Sequence, residues 1–265
     1  MTRLCLIGNS HLIALQQSLQ ETPERWPGLT CTFHGFRGRT ALNTQVQDGV
    51  MTPTTDGARD QMLRFSGQAR LPLDGHDAFA VVGLNLKILH AMTFWKVARW
   101  HALPSIRMAS DLADLPHALI SRMAAIAGLA GFVAGLTGMV LAQRLASALG
   151  RPVYVIGQPR LHRAALWGEQ GAFFGLGRAI VNGDGPALAQ VFDAAMTRAT
   201  GAVGAVWLPQ PAPTIHDHLL TRPRFMLGQV RDPASGAMRP DHTHPNARYG
   251  ALVLDQLARL TGGAP

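Results

Sequence analysis

A few positions in this chain carry groups that together can transfer an acyl group. Ser10 follows the apolar run Leu4-Cys5-Leu6-Ile7 and the pair Gly8-Asn9. A serine hydroxyl is a weak nucleophile until a base stands beside it. The segment Asp241-His242-Thr243-His244-Pro245-Asn246 offers one. An Asp and a His separated by two residues, on one loop just before a helix, let the carboxylate hold one ring nitrogen of His244. The other nitrogen is then free to take a proton. The N–H groups of Ser10 and Gly38 and the amide of Asn85 can form a pocket for an oxyanion. Rival readings stand beside each of these. Serine is a preferred helix cap, and from its own stretch Ser10 reads most simply as one. His242 competes with His244, but the two-residue gap and the following Pro favour His244. His11 is expected to face solvent or substrate, because adjacent helical side chains diverge. His34 and His90 read as ordinary surface or core histidines.

These groups need elements to bring them together. Residues 3–8 are an apolar run stopped by a turn, which predicts a buried strand. Residues 11–20 place Leu12, Leu15 and Leu19 at helical spacing. Residues 29–33 read as a second strand leading into a loop that carries Gly38. Residues 41–75 are mixed and polar and read as a surface segment. A third apolar run, from Asp77, breaks at Gly83 and reaches Asn85. Residues 87–117, with Trp95 and Trp100, form either a helical insertion that caps the site or ordinary core. Residues 117–149 follow one long helical pattern. No charge occurs from Ala124 to Ala142, which reaches the length of a membrane span. Its Ala and Gly content makes transfer weak, and the flanking strands favour a buried crossover helix. A fourth strand falls in 152–159, a helix in 186–200 and a fifth strand in 203–208. A long loop over 212–240 and a closing helix over 246–260 end the chain. Strands alternating with helices predict an α/β fold: a three-layer, doubly wound, mostly parallel five-stranded sheet. In such sheets ligands bind at the carboxyl ends of the strands, where helix amino termini favour negative charge.

The chain has 265 residues, 47% of them hydrophobic. That suits one large domain over 1–265 and argues against disorder. Cys5 and Cys31 form no CxxC or Cys/His cluster, so neither a disulfide scaffold nor a zinc site is expected, and no cofactor. The 24 Lys and Arg outnumber the 16 Asp and Glu, for a formal charge of +8. These basic residues are scattered and follow no nucleic-acid-binding signature, so no nucleic-acid partner is expected. They attract anionic substrates or glycans, or they reflect Arg-rich codon usage. The first strand leaves no room for a signal peptide, which predicts a cytoplasmic protein.

The order of these blocks resembles the SGNH hydrolase superfamily, the GDSL-type esterases and lipases. Gly8-Asn9-Ser10 resembles its first block, usually Gly-Asp-Ser, and Gly38 its second-block glycine. Gly83-Leu84-Asn85 begins like the third block, Gly-x-Asn-Asp, and departs at Leu86. Asp241-His-Thr-His244, followed by Pro245 and Asn246, resembles the fifth. The resemblance runs from residue 4 to about 257. It implies a flavodoxin-like sheet with Ser10 as nucleophile, His244 as base and Asp241 as its orienter. Ser10, Gly38 and Asn85 are then the oxyanion donors. The implied activity is hydrolysis of a carboxylic ester of a small molecule, lipid or sugar through an acyl-enzyme. Acyl transfer to a sugar hydroxyl is an alternative. So is an acyl- or sugar-binding module without turnover, which the altered third block suggests.

Overall fold

The computed structural model describes residues 1–109, 118–167, 174–232 and 234–262. Five strands form the central sheet: β1 (Thr2–Gly8), β2 (Leu29–Gly35), β3 (Ala78–Val82), β4 (Val153–Ile156) and β5 (Val206–Leu208). Their spatial order is β5-β4-β3-β1-β2, and every neighbouring pair is parallel. This is the doubly wound order 2-1-3-4-5, with its switch point between β1 and β3.

Side chains along a strand alternate between faces, and both faces here are apolar. Leu4 and Leu6, with Ala78, Ala80 and Val82, share a core with helices α1 (Leu12–Glu21) and α7 (Ala247–Leu260). Cys5 and Ile7, with Phe79, Val81, Val153 and Val155, lie in the opposite core. There they meet α2 (Asp56–Ser66), α3 (Leu89–Trp95), α4 (Arg122–Ala134), α5 (Thr137–Leu149) and α6 (Gly185–Ala202). The fold is therefore α/β, with helices packed on both faces of a parallel sheet.

The α1–α7 contact sets the geometry of the site, because Ser10 and His244 lie just before these two helices. Gly250 makes the contact close: a Cβ there would overlap the Ala14 carbonyl and lie 2.9 Å from the Leu15 nitrogen. Gly250→Ala must therefore push the helices apart. We expect a loss of about 1–3 kcal/mol, as for overpacked interiors. Urea denaturation measures it, and an unchanged midpoint would show that the contact is looser than described.

Three segments differ from their expected form. The long helical pattern over 117–149 is two helices, α4 and α5, bent by 75°. Leu136 is extended (ψ 152°) and the Gly138 N–H donates to the Leu84 carbonyl (3.1 Å), tying the break to the end of β3. Among the described residues no single helix is long and apolar enough to cross a membrane. The polar stretch over 41–75 contains α2 and a small antiparallel sheet, with Met51, Met62, Leu71 and Leu73 fully buried. Thr55 starts α2 by accepting from the Ala58 N–H at 3.3 Å, and Gly67 ends it. The expected loop over 212–240 contains β6 (Met226–Arg231) and the start of an antiparallel partner, β7 (Met238–Pro245). In the segment 87–117, residues 110–117 lie outside the described residues. Trp95 and Trp100 are core: Trp95 Nε1 donates to the buried Asp184 (2.9 Å), which Ser105 also binds. Residues 168–173 also lie outside the described residues, and a further helix spans Phe174–Val181.

Candidate active site

Ser10 stands in the turn between β1 and α1. At Gly8 a Cβ would strike the Val82 carbonyl, so the end of β1 lies directly against β3. The Asn9 N–H donates to Val82 (3.3 Å) and the Phe36 N–H to the Gly8 carbonyl (2.7 Å), drawing the ends of β3 and β2 to the same turn. Ser10 does not cap the helix. Helix α1 begins at Leu12 with His11 in the cap position, and the Ser10 hydroxyl reaches His244 instead.

Asp241 and His244 sit on β7, not on the loop expected for them. Their geometry comes from an irregularity in the hairpin. Asp241 pairs with Gly228 and Pro245 with Met226, so three residues of β7 face the single Leu227. Such a bulge releases backbone groups from the ladder, and a buried N–H must find another acceptor. Here the N–H groups of Thr243 and His244 donate to Asp241 Oδ1 at 2.9 and 3.0 Å. The other carboxylate oxygen meets His244 Nδ1 at 2.7 Å. Asn246 fastens the end of the hairpin, donating to the Arg224 and Met226 carbonyls and accepting from the Tyr249 N–H.

An ionised carboxylate only accepts, so Nδ1 carries the proton and Nε2 is left as an acceptor. Ser10 Oγ lies 2.8 Å from Nε2 and donates to it. The sequence separates these two residues by 234 positions. Asp241 is buried (6% exposed), and burial by itself raises its pKa. The N–H groups of Thr243 and His244, and the imidazole, outweigh that and hold the carboxyl below its ordinary value. These bonds favour the ionised form of the carboxylate.

The other predicted groups divide. Gly38 (φ +59°) lines the same cleft as Ser10, and the N–H groups of both donate to no described residue. Asn85 (φ +69°) is exposed at the end of β3. Its carbonyl accepts from His90 (2.7 Å), and it is not among the described residues lining that cleft. His242 stacks on His162 with ring centroids 6.2 Å apart and has no bond to Ser10. His34 is buried in β2.

His11 corrects the expectation of a ring facing solvent or substrate. It is 6% exposed and stacks on His244, ring centroids 5.4 Å apart. Asn9 is the cause: its Oδ1 sits 2.7 Å from His11 Nδ1 and turns the ring inward. Only this interaction distinguishes His11 from any polar neighbour of a serine, and its signal lies in the pair Asn9–His11. Sequence reasoning also missed Phe65, because α2 was not foreseen, and the cleft walls Phe33, Phe36 and Ile13.

Burial first, and then the neighbouring His244, lower the pKa of His11 to about 4. Burial and then His76 lower His34 to about 4 as well. Both rings titrate near 6.5 when unfolded, so the unfolded chain binds more protons between those values. Stability is therefore intact above pH 6.5 and falls as the pH drops towards 4. Each ring contributes a loss of about 2 kcal/mol between pH 7 and 5. Urea unfolding at the two pH values reads this directly. A His34→Leu chain that lost stability as steeply as the parent would remove His34 from the account.

Fold and geometry together define a parallel α/β protein whose sheet carries, at its carboxyl edge, a hydrogen-bonded chain from Ser10 through His244 to Asp241. Comparison with family models, curated proteins and solved structures finds no match to this chain.

Proposed function

We propose that this protein is a serine esterase of the SGNH hydrolase type. The observation that carries the reading is the unbroken relay of 2.8 and 2.7 Å contacts from Ser10 Oγ to Asp241. In this reading Ser10 attacks the ester carbonyl as His244 Nε2 takes its proton. Asp241 steadies the imidazolium that results. The N–H groups of Ser10 and Gly38 receive the oxyanion, and the Asn85 amide, outside the described lining of the cleft, is not needed for it. His244 then returns the proton to the departing alcohol. Water, deprotonated by the same nitrogen, releases the acyl group. The sheet order 2-1-3-4-5 and the place of Ser10 after the first strand support this family type.

Labelling with a serine-reactive phosphonate, followed by peptide mapping, tests the nucleophile. The expected product is one modified peptide carrying Ser10. A label on another serine would end the assignment. A second reading, an acyl- or sugar-binding module without turnover, draws on the exposure of Asn85 away from the described lining of the cleft. Hydrolysis of a short-chain chromogenic ester separates the two. Rates identical for the parent and Ser10→Ala would leave only the binding module.

A further inference from the structure

The cleft beside Ser10 has a volume of about 640 Å³, within the range of small-molecule sites. Its walls are Leu12, Ile13, Phe33, Phe36 and Phe65. Two of them are open to solvent: Ile13 is 52% and Phe65 47% exposed. Arg37 is the single Lys or Arg, and there is no Asp or Glu, among the described lining residues. The Arg37 guanidinium makes no ion pair or hydrogen bond with any described residue.

Its backbone, in contrast, is fixed. The Phe36 N–H is bound to Gly8, two residues before Ser10. The Arg37 N–H donates to Gln61 Oε1 at 2.9 Å. The arginine thus starts from a set position beside the nucleophile and keeps its planar fork uncommitted. That fork matches a carboxylate or phosphate with two parallel hydrogen bonds. A second guanidinium, of Arg64, lies 5.4 Å from the ring centroid of Phe65, outside the described lining of the cleft.

We infer that the substrate joins an apolar acyl chain to an anionic oxygen group, a carboxylate or a phosphate, and that Arg37 binds the anion while the phenylalanines take the chain. This rests on the esterase reading above for the reaction, though not for the binding.

The test has two arms. In the first, kcat/KM is measured for phenyl octanoate and for its para-carboxy and para-phosphate analogues, with the parent protein and with Arg37→Gln. Comparing the same esters in both proteins cancels their intrinsic reactivities. The preference for a charged over the neutral ester is expected to fall by about ten- to a hundredfold in the variant, the scale of a charge-assisted hydrogen bond. Arg37→Lys restores part of it. The analogue with the larger fall tells carboxylate from phosphate. In the second arm, calorimetry follows octyl phosphate, octanoate and octanol binding to Ser10→Ala, with and without Arg37→Gln. Tighter binding of either anion than of octanol, lost with Arg37, supports the anion site even if no ester is hydrolysed. Hydrolysis of all three esters, with the same charged-to-neutral ratio in both proteins, overturns it and leaves the esterase standing.

Discussion

Replacing Ser10 with alanine is expected to lower kcat on a short-chain chromogenic ester by about 10⁵–10⁶-fold, the scale seen when a triad serine is removed elsewhere. The loss follows from the chemistry of one atom. In the proposed reaction Ser10 Oγ is the group that bonds to the acyl carbon, and without it His244 and Asp241 could activate only water. What remains is the binding cleft and the free N–H donors, which in comparable sites still give about 10³–10⁴-fold over the uncatalysed reaction. Folding is not at stake. Ser10 is exposed, caps no helix and packs in neither core, so the free energy of unfolding should change by less than about 0.5 kcal/mol. Full activity in a well-folded Ser10→Ala protein would remove the esterase reading.

Asp241→Asn should cost about 10⁴-fold in kcat, and the hydrogen bonds say why. Oδ1 accepts from the Thr243 and His244 N–H groups, so an asparagine must keep its oxygen there. Its amide nitrogen then faces His244 Nδ1, the position now held by Oδ2. Two donors cannot meet, so the ring surrenders the Nδ1 proton and carries it on Nε2 instead. Nε2–H now points at Ser10 and can no longer accept the hydroxyl proton. The variant keeps its backbone bonds and its stability while losing turnover. Proton NMR gives an independent reading: a downfield Nδ1–H resonance in the parent that is absent from the variant. An asparagine protein with near-parental kcat would mean that Asp241 does not set the tautomer. Asp241→Ala is a different experiment. It strands two N–H groups and should also destabilise, by about 1–3 kcal/mol for each one left buried.

Much of this arrangement was legible because it is local in the sequence. Each parallel strand is an apolar run stopped by a turn residue, as at Gly8 and Gly83, and each was placed to within a few residues. Ser10, Asp241 and His244 declare themselves by residue type and spacing. What stayed hidden has physical reasons. Helix α2 buries little beyond Ala58 and Met62, so its apolar periodicity is faint. The break between α4 and α5 falls within uniformly apolar residues, where periodicity does not mark a stop. The β6–β7 hairpin exposes much of both strands and shows no apolar alternation. The inward turn of His11 depends on Asn9 and on a ring that arrives from the far end of the chain. Asn85 had the right type and position along β3, yet its exposure follows from a backbone that stays left-handed from Gly83 through Asn85.

The separation of 234 positions between Ser10 and His244 also places the site in time. A ribosome adds roughly 5–20 residues per second, so Ser10 is made on the order of ten to fifty seconds before His244. For that interval the nascent polypeptide carries a serine with ordinary alcohol reactivity. In the esterase reading proposed above, products of premature termination before the last hairpin lack Asp241 and His244 and stay inert in the same way.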